Sequence, residues 1–185
     1  MKTEYKILLG IGSVITFGLV LFGVIKFISK RKSGEVWDSA SEEKIKTLHP
    51  QLRNKAREFL NKAERQGIML RVTSAFRTYE QQDKLYAQGR TTSGSIVTNA
   101  RGGYSNHNFG TAFDVVQIIN GKADYDNADW DKIGQIGKSI GFKWGGDWQS
   151  FIDKPHFEMT FGNSLAEMRD KFESGQTNNG YIELT

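Results

Sequence analysis

SNHNFGTAFDVVQIING, residues 105–121, decides how the chain is read. Its second half, AFDVVQII, is apolar and β-branched, which predicts a strand. Asn120-Gly121 follows as a hairpin signal, because that dipeptide accepts the positive φ angles of a tight turn. The first half closes a segment from Arg90 to Asn108 that is rich in Gly, Ser, Thr and Asn, a long loop of the kind that carries function. His107 sits at the end of that loop, and Asp114 lies inside the strand.

Outward from this stretch, helices and strands alternate without a strand–helix–strand rhythm. PQLRNKAREFLNKAERQG places Leu52, Ala56, Phe59, Leu60 and Ala63 on one helical face, with Gly67 as the stop. His49 precedes Pro50 at this helix start, and a local role there is enough to explain it. IMLRVTSA reads as a strand and TYEQQDKLYAQG as a second helix closed by Gly89. ADWDKIGQIGKSIG predicts a third helix that turns Trp130, Ile133, Gly137 and Ile140 inward. FKW and HFEMTF complete the strands. The expected class is α+β, a small antiparallel sheet flanked by helices, with no internal repeat.

Residues 7–25, ILLGIGSVITFGLVLFGVI, carry no charge and are roughly long enough to cross a bilayer core of about 30 Å. Lys26, Lys30, Arg31 and Lys32 mark the end of the run. The expected organisation is an uncleaved anchor over 1–32, a linker over 33–41, one domain over 42–172 and a tail over 173–185. More Lys and Arg follow the apolar run than precede it, which by the positive-inside rule alone leaves the domain in the cytoplasm.

The 185 residues carry a net charge of +4, with no dense basic run inside the folded part, so nucleic acid is not an expected partner. The absence of cysteine excludes disulfides, thiolate metal sites and a cysteine nucleophile. A metal site must therefore use nitrogen and oxygen, and three histidines supply all the imidazole nitrogen there is. A catalytic zinc takes three protein ligands and keeps one position open for water. His107 and Asp114 offer two, with Gly110 and Ala112 expected to let the backbone fold closely around the ion. His156, after Pro155, offers the third. Asp153, three residues earlier, is placed to move the proton of a metal-bound water. On spacing alone, a metal site and ordinary roles as cap, turn or core residue stay equally open.

Three segments carry a family resemblance: SAFRTYEQQDKLYAQGR (74–90), IVTNARGGYSNHNFGTAFDVV (96–116) and DKPHFEM (153–159). Together they resemble the VanY-type D-Ala-D-Ala carboxypeptidases and, more closely, the L-alanyl-D-glutamate endopeptidases of phage endolysins and bacterial cell-wall hydrolases. The likeness spans about residues 67–161 and rests on S-x-H-x-x-G-x-A-x-D followed by D/E-x-x-H. It implies the zinc-groove fold shared with hedgehog signalling domains and one Zn2+ per chain on His107, Asp114 and His156. It implies that Asp153 is the catalytic carboxylate and that Arg77, in an S-x-x-R context, steadies the scissile carbonyl or the oxyanion. Ser105 and Gln82 match positions for substrate contact or pocket shaping. Trp144 and Trp148 are left open between groove and core, and Glu158 is a weaker candidate for orienting a ligand.

The resemblance implies hydrolysis of an amide in the peptidoglycan stem peptide, with L-alanyl-D-glutamate cleavage expected. The alternatives are a D-Ala-D-Ala carboxypeptidase and a catalytically inactive zinc-containing peptidoglycan-binding module. Because that substrate lies outside the cytoplasmic membrane, the expected arrangement is a monomer held by the N-terminal segment with its domain facing the periplasm or wall.

Overall fold

The computed structural model describes residues 36–185; the segment 7–25 and the start of the linker lie outside the described residues. Among the described residues no helix is long and apolar enough to cross a membrane. The elements in order are α1 (Ser39–Thr47), α2 (Pro50–Arg65), β1 (Leu70–Ser74), α3 (Tyr79–Ala87), β2 (Ala112–Ile119), β3 (Lys122–Asp124), α4 (Trp130–Lys138), β4 (Lys143–Trp144), β5 (His156–Glu158), α5 (Leu165–Glu173), β6 (Thr177–Asn178) and β7 (Tyr181–Ile182). Short 3₁₀ turns fall at Asn106–Phe109 and Gly145–Asp147.

β2 is the centre of the main sheet. β1 lies along one side of it, while β5 and then β4 follow on the other, and β3 pairs with its last residues. Every pairing is antiparallel, in agreement with the α+β reading. Asn120 and Gly121, at φ 51° and 78°, turn β2 into β3 as the dipeptide predicts.

Side chains alternate across a strand, so Phe113 and Val115 of β2 and Phe157 of β5 face one side. The apolar stripe of α2 closes over them, with Leu52, Ala56, Phe59, Leu60 and Ala63 all fully buried. Phe59 and Phe157 meet with ring centroids 4.6 Å apart. Fully burying a side chain of this size is worth about 1.5–3 kcal/mol. α4 approaches so closely that at two positions of its inner face, beside the buried Trp130 and Ile133, only glycine fits. A Cβ at Gly134 would stand 2.5 Å from the Trp144 ring, and one at Gly137 would stand 2.4 Å from that of Phe157.

The compact unit runs from Val36 to Thr185, wider at both ends than the 42–172 read from the sequence. At the start, the Trp37 indole donates to Leu70 O at 2.7 Å. The Asp38 carboxylate caps α1 by accepting from Ser41 N and Oγ, and also takes two bonds from Arg71. Burial pushes the Asp38 carboxyl up, but these donors outweigh it and hold it below the usual range. At the other end, α5 and the β6–β7 hairpin bring Met168, Ile182 and Leu184 against Phe109. His49 joins the two ends. Its Nδ1 accepts from Gln51 N at 3.3 Å as the cap of α2, and its Nε2 donates to Ile182 O at 2.9 Å.

Candidate metal centre

The opposite face of the sheet carries the site. Ser74, Asp114 and His156 are direct partners on β1, β2 and β5, so their side chains stand shoulder to shoulder. Ser74 reaches this face through an irregularity in register between Val72 and Ser74. Val72 pairs with Val115 on the core side, and the extra residue re-aims Ser74 toward Asp114.

His107 arrives from the 3₁₀ turn. Ser105 caps that turn by accepting from His107 N, and Gly110 ends it in the left-handed region at φ 68°. Gly110 serves a different purpose from the one expected. A Cβ there would meet His49 N at 2.6 Å, so the glycine admits the start of α2 instead of wrapping an ion.

Three donor atoms converge. His107 Nε2 lies 3.3 Å from His156 Nδ1 and 3.2 Å from Asp114 Oδ1, and His156 Nδ1 lies 3.1 Å from the same oxygen. A tetrahedral zinc with bonds of about 2.0–2.1 Å spaces neighbouring ligands by about 3.3 Å, so the triangle already has the required size. Among the described residues these three are the group able to hold a metal ion.

The outer ring nitrogens are tied back, which fixes the tautomers. His107 Nδ1 donates to Ala75 O at 2.7 Å, and His156 Nε2 faces Glu158 Oε2 at 3.1 Å. Asn106 Nδ2 braces that same Glu158 oxygen at 2.7 Å. Such partners aim a ligand and raise its basicity. Burial opposes a proton on His156, but the Asp114 and Glu158 carboxylates outweigh it and push its pKa up to about 9. Burial likewise opposes charge on Asp114, yet His107 and His156 hold its carboxyl well below the usual range. A cation suits a pocket with that balance, since it takes the place of the proton.

Arg77 holds the second oxygen of Asp114. Its Nη2 donates to Asp114 Oδ2 at 3.1 Å, its Nε to Ser74 Oγ at 3.1 Å and its Nη1 to Gln82 Oε1 at 2.8 Å. Gln82 is fully buried behind Arg77 and donates on to Ala100 O at 2.8 Å. It therefore shapes the site by bracing Arg77 against the long loop, and the expectation of direct substrate contact does not fit its place. Asn108 makes a second brace, with Nδ2 on Arg77 O and Oδ1 accepting from Gly103 N.

A cleft of about 800 Å³ opens over the donor triangle. Arg77, Ser105, Trp148 and Asp153 line it together with the three donors, and Val97 and Phe151 add apolar wall. Burial and the nearby Asp114 charge push the Asp153 carboxyl up, against the pull of His156, His107 and Arg77. The two tryptophans separate. Trp148 lies on His156 with ring centroids 5.0 Å apart, whereas Trp144 stacks on Phe157 in the core. Glu158, Asn106 and Ser74 are the site residues that the sequence reading underweighted or passed over. Glu158 sits two residues from His156 on a strand, so period-two alternation puts it on the same face.

Two imidazoles and one carboxylate at the floor of an open cleft, with a free carboxylate on its wall, make a donor set able to hold one metal ion, the arrangement that metal-dependent hydrolases need. A family model described as D-alanyl-D-alanine carboxypeptidase matches residues 98–159. The peptidoglycan L-alanyl-D-glutamate endopeptidase CwlK of Bacillus subtilis is 43% identical over 122 residues, covering 60% of this chain and 73% of that protein. An L-alanyl-D-glutamate peptidase of a Listeria phage is 29% identical over 79% of this chain, which spans about half (53%) of the phage protein's length. In fold, the chain resembles the L-Ala D-Glu endopeptidase ChiX of Serratia marcescens, with TM-score 0.52 and 23% identity over 70% of this chain and 92% of that one. The chain belongs to the L-alanyl-D-glutamate endopeptidase family of peptidases.

Proposed function

We propose that this protein is a zinc-dependent peptidoglycan peptidase that hydrolyses the amide between L-alanine and D-glutamate of the stem peptide. The observation that carries the reading is the donor triangle of His107, Asp114 and His156 with Asp153 on the wall of the same cleft. The 43% identity to the Bacillus endopeptidase directs the choice of bond.

His107, Asp114 and His156 would hold the zinc ion, which would supply a Lewis acid and lower the pKa of a water towards about 7. Asp153 takes the proton of the attacking water and returns it to the departing amine of glutamate. Arg77 keeps Asp114 aligned and offers its remaining N–H groups to the developing oxyanion. Ser105 holds the His107 turn and exposes its hydroxyl to the substrate. Trp148 shields His156 from bulk water on the cleft side.

Peptidoglycan lies outside the cytoplasmic membrane. The apolar segment 7–25 is accordingly read as an anchor that leaves a monomeric domain on the wall side, against its own charge bias.

Digestion of purified sacculi tests the reading. New N-terminal glutamate should appear, vanish on chelation and return with zinc. Release of free D-alanine without new glutamate ends would assign the chain to the carboxypeptidase branch instead.

A further inference from the structure

Beyond the metal, the cleft continues past Tyr104 towards Leu165 at the start of α5. Tyr104 is 41% exposed, and two cations lie against its ring. The Arg101 guanidinium carbon is 4.5 Å from the ring centroid and that of Arg169 is 4.4 Å away. Arg101 Nη2 also donates to the Tyr104 hydroxyl at 3.0 Å.

The turn that carries this group is stiff. Tyr104 N donates to Arg101 O at 3.0 Å, Gly102 N to Asp83 Oδ1 at 2.7 Å and Gly103 N to Asn108 Oδ1 at 3.0 Å. A Cβ at Gly102 would stand 2.8 Å from Tyr79 O, and Gly103 has φ 77°, so the backbone is held where only glycine fits. Asp83 and Glu173 are the acidic groups that bear on the cluster. Arg57, Arg71 and Arg77 each close an ion pair with a carboxylate, whereas Arg101 and Arg169 close none among the described residues. Two pre-set guanidiniums with N–H groups to spare, beside an exposed phenol at a cleft end, match a planar carboxylate.

We propose that Arg101 and Arg169, gathered around Tyr104 at the α5 end of the cleft, bind the free carboxylate of the glutamate that follows the scissile bond. The inference rests on the reading of the cleaved bond given above. Glutamate carries two carboxyl groups; one continues the stem peptide and the other remains ionised at neutral pH. A residue whose nitrogen becomes the leaving group presents that carboxylate a few ångströms beyond the reacting carbonyl. The subsite thus reads the leaving-group side of the substrate, and it separates an acidic stem peptide from one in which the same group is a neutral amide.

The test compares two synthetic stem peptides, identical except that the glutamate carboxylate is free in one and a carboxamide in the other. The full-length enzyme should favour the free acid by about tenfold or more in kcat/KM, mainly through KM. The double variant Arg101→Gln, Arg169→Gln should bring the ratio close to one, and Arg169→Lys should retain part of the preference because it keeps the charge. Both positions are on the surface of the turn and helix, and circular dichroism checks that each variant is folded. Cleavage between alanine and glutamate with no preference in the unaltered enzyme, or with the same preference in the double variant, overturns the subsite alone. Absence of cleavage at that bond in either peptide overturns the assigned bond and the subsite with it.

Discussion

Arg77 Nη2 lies 3.1 Å from Asp114 Oδ2, while the other oxygen of the same carboxylate faces both imidazoles. One guanidinium thereby fixes the plane in which Asp114 can meet a metal. Its grip also extends to Ser74 and Gln82, so the aim of the ligand depends on three elements at once.

Arg77→Lys keeps the charge but cannot hold Ser74, Gln82 and Asp114 together. Zinc affinity should fall by about 10–100-fold, the usual effect of losing a partner that orients a ligand. Competition against a chromophoric chelator measures it. Unchanged affinity with reduced kcat would confine Arg77 to the oxyanion.

Asp153→Asn should separate metal binding from chemistry. The metal content is expected to stay at that of the unaltered protein, while kcat on stem peptides falls about 10²–10⁴-fold. Retained hydrolysis in this variant would remove Asp153 from the mechanism.

His49 sets a pH limit on stability. Burial lowers its pKa below 6.5, with the Arg53 charge adding to the effect and the bond to Ile182 O opposing it. The unfolded chain therefore binds the proton more readily than the folded one. Stability is fully present above 6.5 and is lost as pH falls through the lowered folded value. Denaturant titrations below pH 6.5 should show this slope, and His49→Gln should flatten it. The same variant should cost about 1–3 kcal/mol at neutral pH by loosening the bond to Ile182 O.

Gly137→Ala should be destabilising although alanine is the better helix former. The added methyl group meets the fully buried Phe157 ring at 2.4 Å, so ring or helix must move. A loss of about 1–3 kcal/mol, read as a lower Tm, is expected, whereas a stabilised protein would show that α4 can slide away from the sheet.

Much of the architecture was legible because its signals are local. The α2 stripe, the β2 run and the Asn-Gly turn each encode their own conformation within a few residues, and all three form as read. The same turn chemistry stood unread at Asn179-Gly180, at φ 51° and 81°, where it closes the β6–β7 hairpin in what looked like a tail. Two-residue strands leave too short a pattern for alternation to mark. The start of α1 falls inside the expected linker, because its support comes from Arg71 and Val72 far along the chain.

For the site, the scarcity of histidine and the motif spacing single out His107, Asp114, His156 and Asp153 without deciding their role, and only the family resemblance adds Arg77 and the catalytic reading. Imidazole is scarce in a chain of three histidines and no cysteine, whereas the aspartates and Arg77 are picked from ten aspartates and nine arginines by motif alone. Only the tertiary structure decided how they meet. Antiparallel register puts His156 beside Asp114, the irregularity after Val72 turns Ser74 to the same face, and the capped turn brings His107 to within 3.3 Å of His156. It also moved Gln82 behind Arg77, gave Gly110 to the approach of α2, and assigned Trp148 to the cleft and Trp144 to the core. Residue types fix which chemistry is available, whereas strand register and close backbone approach are long-range matches that no local pattern encodes.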